Sequence, residues 1–223
     1  MAAPVVAIDG PAGSGKSTLA RRLAEALDLP YVNTGLMYRA LTLRALQEGL
    51  DLDDGPALAA LGRRIRFDLS SRFTPSSLVI EGEPPSPDLV SSEVEVHVSK
   101  VSGHPDVRSV LRHQQRRLGE GGAVMEGRDI GSVVFPDATV KIFLVATPEE
   151  RAARRVRERE EGAGRTDGPE VADALAVRDA LDERVNPFVP APDAVPVDTT
   201  DREPDQVFRE ALAIARERLG AGS

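Results

Sequence analysis

The chain has 223 residues, 41% of them hydrophobic, with no cysteine and a formal net charge of −8. That length supports one full core with a small inserted lobe, and the lack of cysteine excludes a disulfide frame or a thiolate metal site. There is no apolar run of about 18 residues and no basic leader with an apolar core, so a soluble cytoplasmic protein is expected; the acidic balance argues against a broad nucleic-acid surface.

The first element is the apolar run Val5-Val6-Ala7-Ile8, read as a strand, and residues 10–18 follow as Gly-Pro-Ala-Gly-Ser-Gly-Lys-Ser-Thr. This fits G-x-x-x-x-G-K-[ST], a loop that wraps nucleotide phosphates. Gly10, Gly13 and Gly15, interleaved with Pro11, Ala12 and Ser14, let backbone N–H groups turn inward around phosphate oxygens. Lys16 brings a positive charge to the β/γ-phosphates, Ser17 offers a hydroxyl to Mg²⁺, and Thr18 closes the motif. A helix over 16–27 aims its positive end at the same anion. Leu19, Leu23, Ala24 and Leu27 form its buried stripe, with Arg21, Arg22 and Glu25 facing out.

Tyr31–Val32 reads as a second strand and 35–48 as a helix. The stretch 63–100 breaks the alternation. Arg66-Phe67-Asp68-Leu69 and Leu78-Val79-Ile80 read as two short strands joined by Ser-, Thr- and Pro-rich turns, a small β-rich insertion over the nucleotide site. A helix is expected near 105–118, then strands at Ala123–Met125 and Val140–Val145. Thr147-Pro148-Glu149-Glu150 is a capping box with proline at the first helical position, opening a helix over 148–161. Residues 160–170 read as a mobile loop, Ala194–Val197 as the last strand and 204–219 as the last helix. Strands alternating with helices indicate an α/β fold: a parallel five-stranded sheet flanked by helices. Residues 1–62 and 101–223 form its core, with a lid at about 152–170, and 63–100 is the insertion.

The phosphate loop alone fits kinases, GTPases and ATP-driven machines. No Asn-Lys-x-Asp guanine reader is present, and Ala123-Val124-Met125-Glu126 is a weak form of the apolar–acidic strand of motor ATPases. A small-molecule kinase is the better fit. Asn33-Thr34-Gly35-Leu36-Met37-Tyr38-Arg39 and Glu126-Gly127-Arg128-Asp129-Ile130-Gly131 each follow a strand, where ligands gather in open α/β sheets. Arginine supplies all but three of the 28 Lys and Arg residues. Coding or thermal bias accounts for most of that, but arginine also grips phosphate bidentately. Arg154, Arg155, Arg157 and Arg159 lie in one helix; Arg178-Asp179 and Asp182-Glu183-Arg184 precede Asn186-Pro187-Phe188.

Together with Val133-Val134-Phe135-Pro136-Asp137-Ala138, these motifs resemble the bacterial cytidylate kinase family from Val5 to about Leu219. The resemblance implies a P-loop kinase core with an NMP-binding insertion and a mobile lid. It also implies a monomer, ATP as phosphate donor, Mg²⁺, and CMP or dCMP as acceptor. By position, Thr34, Tyr38 and Arg39 would hold the CMP, with Arg39 and Arg128 on its phosphate. Ser99, Arg108 and Asp129 would read the cytosine edge beside Gly127, and Arg178 and Asp182 would contact the sugar. Lys16, Arg128, Arg154 and Arg157 would carry catalysis. The segment from Asp182 to Phe188 is one residue shorter than the family pattern, so Arg184 receives no role. His97, His104 and His113 fall outside the motifs and read as non-catalytic.

Chemistry makes the base assignment reasonable. Cytosine offers an N4 amine donor beside N3 and O2 acceptors, which suits a carboxylate next to an arginine; uracil presents an oxygen at position 4 instead. The acceptor phosphate has a second pKa of about 6 and attacks without a general base. Two alternatives stay open at this level: a P-loop kinase for another small acceptor such as UMP, and a non-catalytic nucleotide-binding module.

Overall fold

The computed structural model describes residues 3–70, 78–163 and 189–221. Strands β1 (Val5–Asp9), β2 (Tyr31–Asn33), β5 (Ala123–Glu126), β6 (Val140–Val145) and β7 (Val195–Asp198) form one parallel sheet in the order β2-β5-β1-β6-β7. A fully apolar run such as Val5-Val6-Ala7-Ile8 suits a strand covered on both faces. Val5 and Ala7 pack on one side with Met37 and Leu41 of α2 (Thr34–Gln47), Leu58 of α3 (Gly55–Arg64) and Leu111 of α5 (Pro105–Gly119). Val6 and Ile8 pack on the other with Leu19 and Leu23 of α1 (Lys16–Leu27) and Val207 and Ala211 of α7 (Pro204–Ala221).

The register aligns Ile8 with Glu126 and Glu126 with Asn33. Three strands therefore end together, and the loops that leave them converge at one edge. Caps fix where the next helices begin. Asn33 Oδ1 accepts from the Leu36 N–H at 3.3 Å, and Thr147 Oγ1 accepts from the Glu150 N–H at 3.3 Å, starting α6 (Pro148–Ala163) as the capping box foretells. No helix among the described residues is long and apolar enough to cross a membrane.

Two helices depart from the sequence reading. The segment 63–100 holds the expected antiparallel hairpin, β3 (Phe67–Leu69) with β4 (Leu78–Ile80), but ends in helix α4 (Ser92–Ser102), so it is not wholly β-rich. The sequence reading gives residues 92–102 no element; their valines, whose stiff side chains favour strands, give helix only weak local support. Val94, Val98 and Val101 recur at helical spacing and are all buried, and Ser91 caps Val94. Helix α3 carries its own signal, Asp54 accepting from the Ala57 N–H with Pro56 in the first turn. Arg22 also differs from expectation: it reaches across to α7, 2.8 Å from Asp205 and over the Phe208 ring at 4.1 Å.

Candidate active site

A cleft of about 400 Å³ opens at the carboxyl edge of the sheet. One wall is the loop between β1 and α1, through Ala12, Gly13, Gly15, Lys16, Ser17 and Thr18. Gly13 has φ 72°, and a Cβ there would lie 2.9 Å from the Arg151 carbonyl oxygen; Gly15 caps α1 with φ 89°. Both need the left-handed region that side chains disfavour. Gly10 and Pro11 shape the loop without lining the cleft, and Lys16 Nζ folds back to the Pro11 carbonyl at 2.6 Å. Ser14 sits on the far side of the loop, where its carbonyl accepts from Thr199 Oγ1 at 3.2 Å.

Behind Lys16 lies a hydroxyl–carboxylate pair that sequence reasoning passed over. Ser17 Oγ donates to Glu126 Oε2 at 3.0 Å, and the Tyr31 hydroxyl donates to Glu126 Oε1. Burial and the adjacent carboxylate raise the Tyr31 pKa, so the phenol stays a donor. The signal was present as the acidic end of Ala123-Val124-Met125-Glu126; only the register with β1 brings it beside Ser17. No cluster of three or more His, Asp or Glu suited to a metal occurs among the described residues. Two hard oxygens fit Mg²⁺, which keeps waters and relies on one or two protein oxygens plus phosphates.

The opposite wall begins after β5. Asp9, the last residue of β1, is 7% exposed and accepts from the Ile130 and Gly131 N–H groups at 2.8 and 2.7 Å. It thereby ties the Gly127-Arg128-Asp129 turn to the strand that feeds the phosphate loop. Burial, opposed by those two hydrogen bonds, pushes its pKa up to about 6. The turn runs into a single π-turn over Ile130–Val134, with the Phe135 N–H on the Ile130 carbonyl at 2.7 Å. Arg116 holds the Val133 and Val134 carbonyls at 2.8 and 2.9 Å. Asp9 and Arg116 also escaped sequence reasoning, since both act only across tertiary contacts.

Asp129 Oδ2 accepts from Arg108 Nη2 at 2.9 Å, and from Arg112 Nε and Nη2 at 3.2 and 2.6 Å. Arg108, Asp129, Gly127 and Arg128 line the cleft, as does Ser99 from α4, itself buried. Thr34, Tyr38 and Arg39 of α2 complete that wall. Thr34 Oγ1 donates to the Glu126 carbonyl at 2.7 Å, joining the start of α2 to the end of β5. Desolvation pushes the Tyr38 hydroxyl up to about 12. Arg39 donates to the Leu89 carbonyl at 3.0 Å and pairs with Glu95 of α4.

Arg154 and Arg157 stand outside this cleft, in an adjoining hollow shared with Ser14, Gly15 and Thr18. Arg154 Nε meets Glu150 at 2.7 Å and its Nη1 meets Thr199 Oγ1 at 3.0 Å. Arg157 reaches the same Glu150 at 3.3 Å and its side chain is 62% exposed. Buried Arg151, absent from the expected set, donates to the Ala12 carbonyl at 3.2 Å. None of the three histidines lines the cleft. Arg178, Asp182 and the lid residues 164–170 lie outside the described residues.

A family model described as cytidylate kinase matches residues 6–217. The cytidylate kinase of Exiguobacterium sibiricum is 45% identical over 221 residues, covering 96% of this chain and 97% of that protein. That of Geobacillus kaustophilus is 43% identical over 218 residues, covering 96% and 97%. A bifunctional pantoate ligase/cytidylate kinase of Gloeobacter violaceus is 43% identical over 229 residues, which are 97% of this chain and 44% of that longer protein. Among solved structures, a gluconokinase from Sinorhizobium meliloti has the same fold, with a TM-score of 0.51 at 17% identity over 98% of this chain and 95% of that one.

Proposed function

Because the chain belongs to the cytidylate kinase family, we propose that its cleft transfers the γ-phosphoryl group of ATP to the phosphate of CMP or dCMP, giving ADP and CDP or dCDP. One observation carries this reading: the phosphate loop and the Arg108–Asp129 pair line a single cleft, so a donor triphosphate and a base-bearing acceptor face each other. Loop N–H groups and Lys16 cradle the β/γ-phosphates. Ser17, with Glu126 behind it, would hold Mg²⁺, which would supply positive charge to offset that of the phosphates. Arg39 and Arg128 bind the acceptor phosphate, and Thr34 and Tyr38 position the nucleotide. Ser99, Arg108 and Asp129 read the cytosine edge, Asp129 accepting from N4 and Arg108 donating to O2 or N3. Arg178 and Asp182 contact the sugar.

The acceptor oxygen attacks phosphorus in line, the bond to the ADP oxygen breaks, and no proton need be removed first. Catalysis is positioning and charge neutralisation, which explains why arginines crowd the cleft. The segment 63–100 serves as the NMP-binding unit on a core of 1–62 and 101–223, a division supported by Glu95, which pairs with Arg39 of α2, and by Ser99, which lines the cleft. Residues 152–170 form a lid whose Arg154 and Arg157 steady the transferring group and whose closure excludes water. The enzyme works as a monomer in cytoplasmic pyrimidine metabolism, on free nucleotides rather than nucleic acid, in keeping with its net charge of −8.

A coupled ADP-release assay over CMP, dCMP, UMP, AMP, GMP and dTMP tests the reading. Turnover concentrated on CMP and dCMP is expected. Equal or greater turnover on UMP would refute the base assignment, and slow ATP hydrolysis alone would refute the kinase.

A further inference from the structure

Arg108 has two partners to satisfy. It lines the cleft, where a base edge would need its N–H groups, and it already donates to Asp129 Oδ2 at 2.9 Å. Arg112 sits one helical turn further along α5, on the same face. It does not line the cleft, yet it places two N–H groups on that same oxygen, at 3.2 and 2.6 Å. Asp129 is 7% exposed, so its orientation depends on these partners rather than on water. All three bonds fall on Oδ2; Oδ1 receives none of them.

We propose that Arg112 is a positioning residue for base selection: it grips Asp129 from behind by two N–H bonds, keeping Oδ1 aimed into the cleft for an exocyclic amine when Arg108 turns to the base. This rests on the reading of Asp129 as the group that meets cytosine N4. Two N–H groups of one rigid guanidinium converge on Oδ2 and pin that oxygen more firmly than a single donor does, so it stays held when Arg108 lets go. An amine at position 4 of the pyrimidine then finds a fixed acceptor, and a carbonyl there meets the same fixed lone pairs and is rejected. Without Arg112, Arg108 is retained by Asp129 or the carboxylate swings when Arg108 leaves; either way the amine loses its partner.

The test compares kcat and KM for CMP and UMP in the wild type, Arg112→Leu, Arg112→Lys and Asp129→Ala. In Arg112→Leu the CMP-over-UMP ratio of kcat/KM is expected to fall by about tenfold or more. The fall comes from a higher KM for CMP, with kcat little changed. Arg112→Lys keeps the charge but not the fork, so its ratio falls by a smaller factor of roughly three to five. A merely structural role would lower both substrates together and leave the ratio alone. An unchanged ratio in Arg112→Leu, alongside a ratio lost in Asp129→Ala, overturns the role of Arg112 and spares the base reading. If Asp129→Ala keeps the ratio, both readings fall. Where Arg112→Leu does not fold, Arg112→Lys decides, and a wild-type ratio there overturns the proposal.

Discussion

Lys16 shows how a residue's role depends on its immediate surroundings. The residue is 7% exposed and its ammonium rests on the Pro11 carbonyl at 2.6 Å, a local contact that a triphosphate would replace with stronger charge-assisted ones. Lys16→Met keeps the length of the side chain and removes that charge where it develops in the transition state. Turnover with saturating CMP should drop by about 10²–10³-fold or more in a steady-state assay, while the folded far-UV spectrum is retained. At Asp129 the expected effect is selective. If Asp129 is the proposed acceptor for N4, Asp129→Ala should lower the CMP-over-UMP ratio by about 10²-fold. Unchanged selectivity there would count against base reading by the carboxylate. Lys16 stands out in the sequence through the phosphate-loop motif, and Asp129 through the resemblance to the family. Tertiary partners do not: Glu126 lies 109 residues from Ser17 in sequence, and nothing local links them.

At the scale of elements, α6 brings its arginines to the loop from outside the cleft. The helix starts at a cap readable in sequence, and its first buried residue, Arg151, anchors it under Ala12. Arg154 then faces Gly15, where a Cβ would lie 3.6 Å from its Nη1. Arg157, one turn on by i+3 spacing, stands in solvent. Replaced singly by alanine, both should lower kcat more than the affinity for CMP. Arg154→Ala is the more damaging, by about 10²-fold, because its guanidinium is held toward the loop by Glu150 and Thr199. Titration of CMP by calorimetry beside the kinetic assay separates the two effects, and unchanged kcat in both variants would remove these two arginines from the mechanism. Helix α4 teaches the opposite lesson about legibility. Its valines point to strand by propensity, yet Val94, Val98 and Val101 recur at helical spacing, and their burial shows that this period won.

Across the whole molecule, Asp9 joins the two halves of the cleft at a thermodynamic cost. The carboxyl rises from 3.8 in the open chain to about 6 in the fold, first because of burial. The native state therefore holds the proton more tightly between those values. The contribution to stability from Asp9 is fully present below about pH 4 and is lost as pH rises through about 6. The amide in Asp9→Asn does not titrate, so the stability of the wild type relative to that variant should decrease by about 1 kcal/mol from about pH 5 to about pH 7.5. Urea unfolding of both proteins across that range measures it; a constant difference would show that Asp9 titrates normally. Retaining a costly ionised carboxylate makes sense where its two N–H bonds set the position of Arg128 and Asp129 relative to Lys16.

By itself the sequence determined the parallel α/β sheet, the phosphate loop and the membership of the cytidylate kinase family. Those signals are local: an apolar run before a glycine-rich loop, a capping box, a carboxylate and arginines just past strand ends. Only the tertiary structure decided how the strands order themselves as β2-β5-β1-β6-β7 and which side chains meet between them. Asp9 under the Gly127-Arg128-Asp129 turn, Glu126 behind Ser17 and Arg112 behind Asp129 all arise from that packing. Buried polar groups take whatever partner the fold delivers within about 3 Å, and no sequence spacing encodes a contact between separate elements, be they 17 residues apart or more than a hundred.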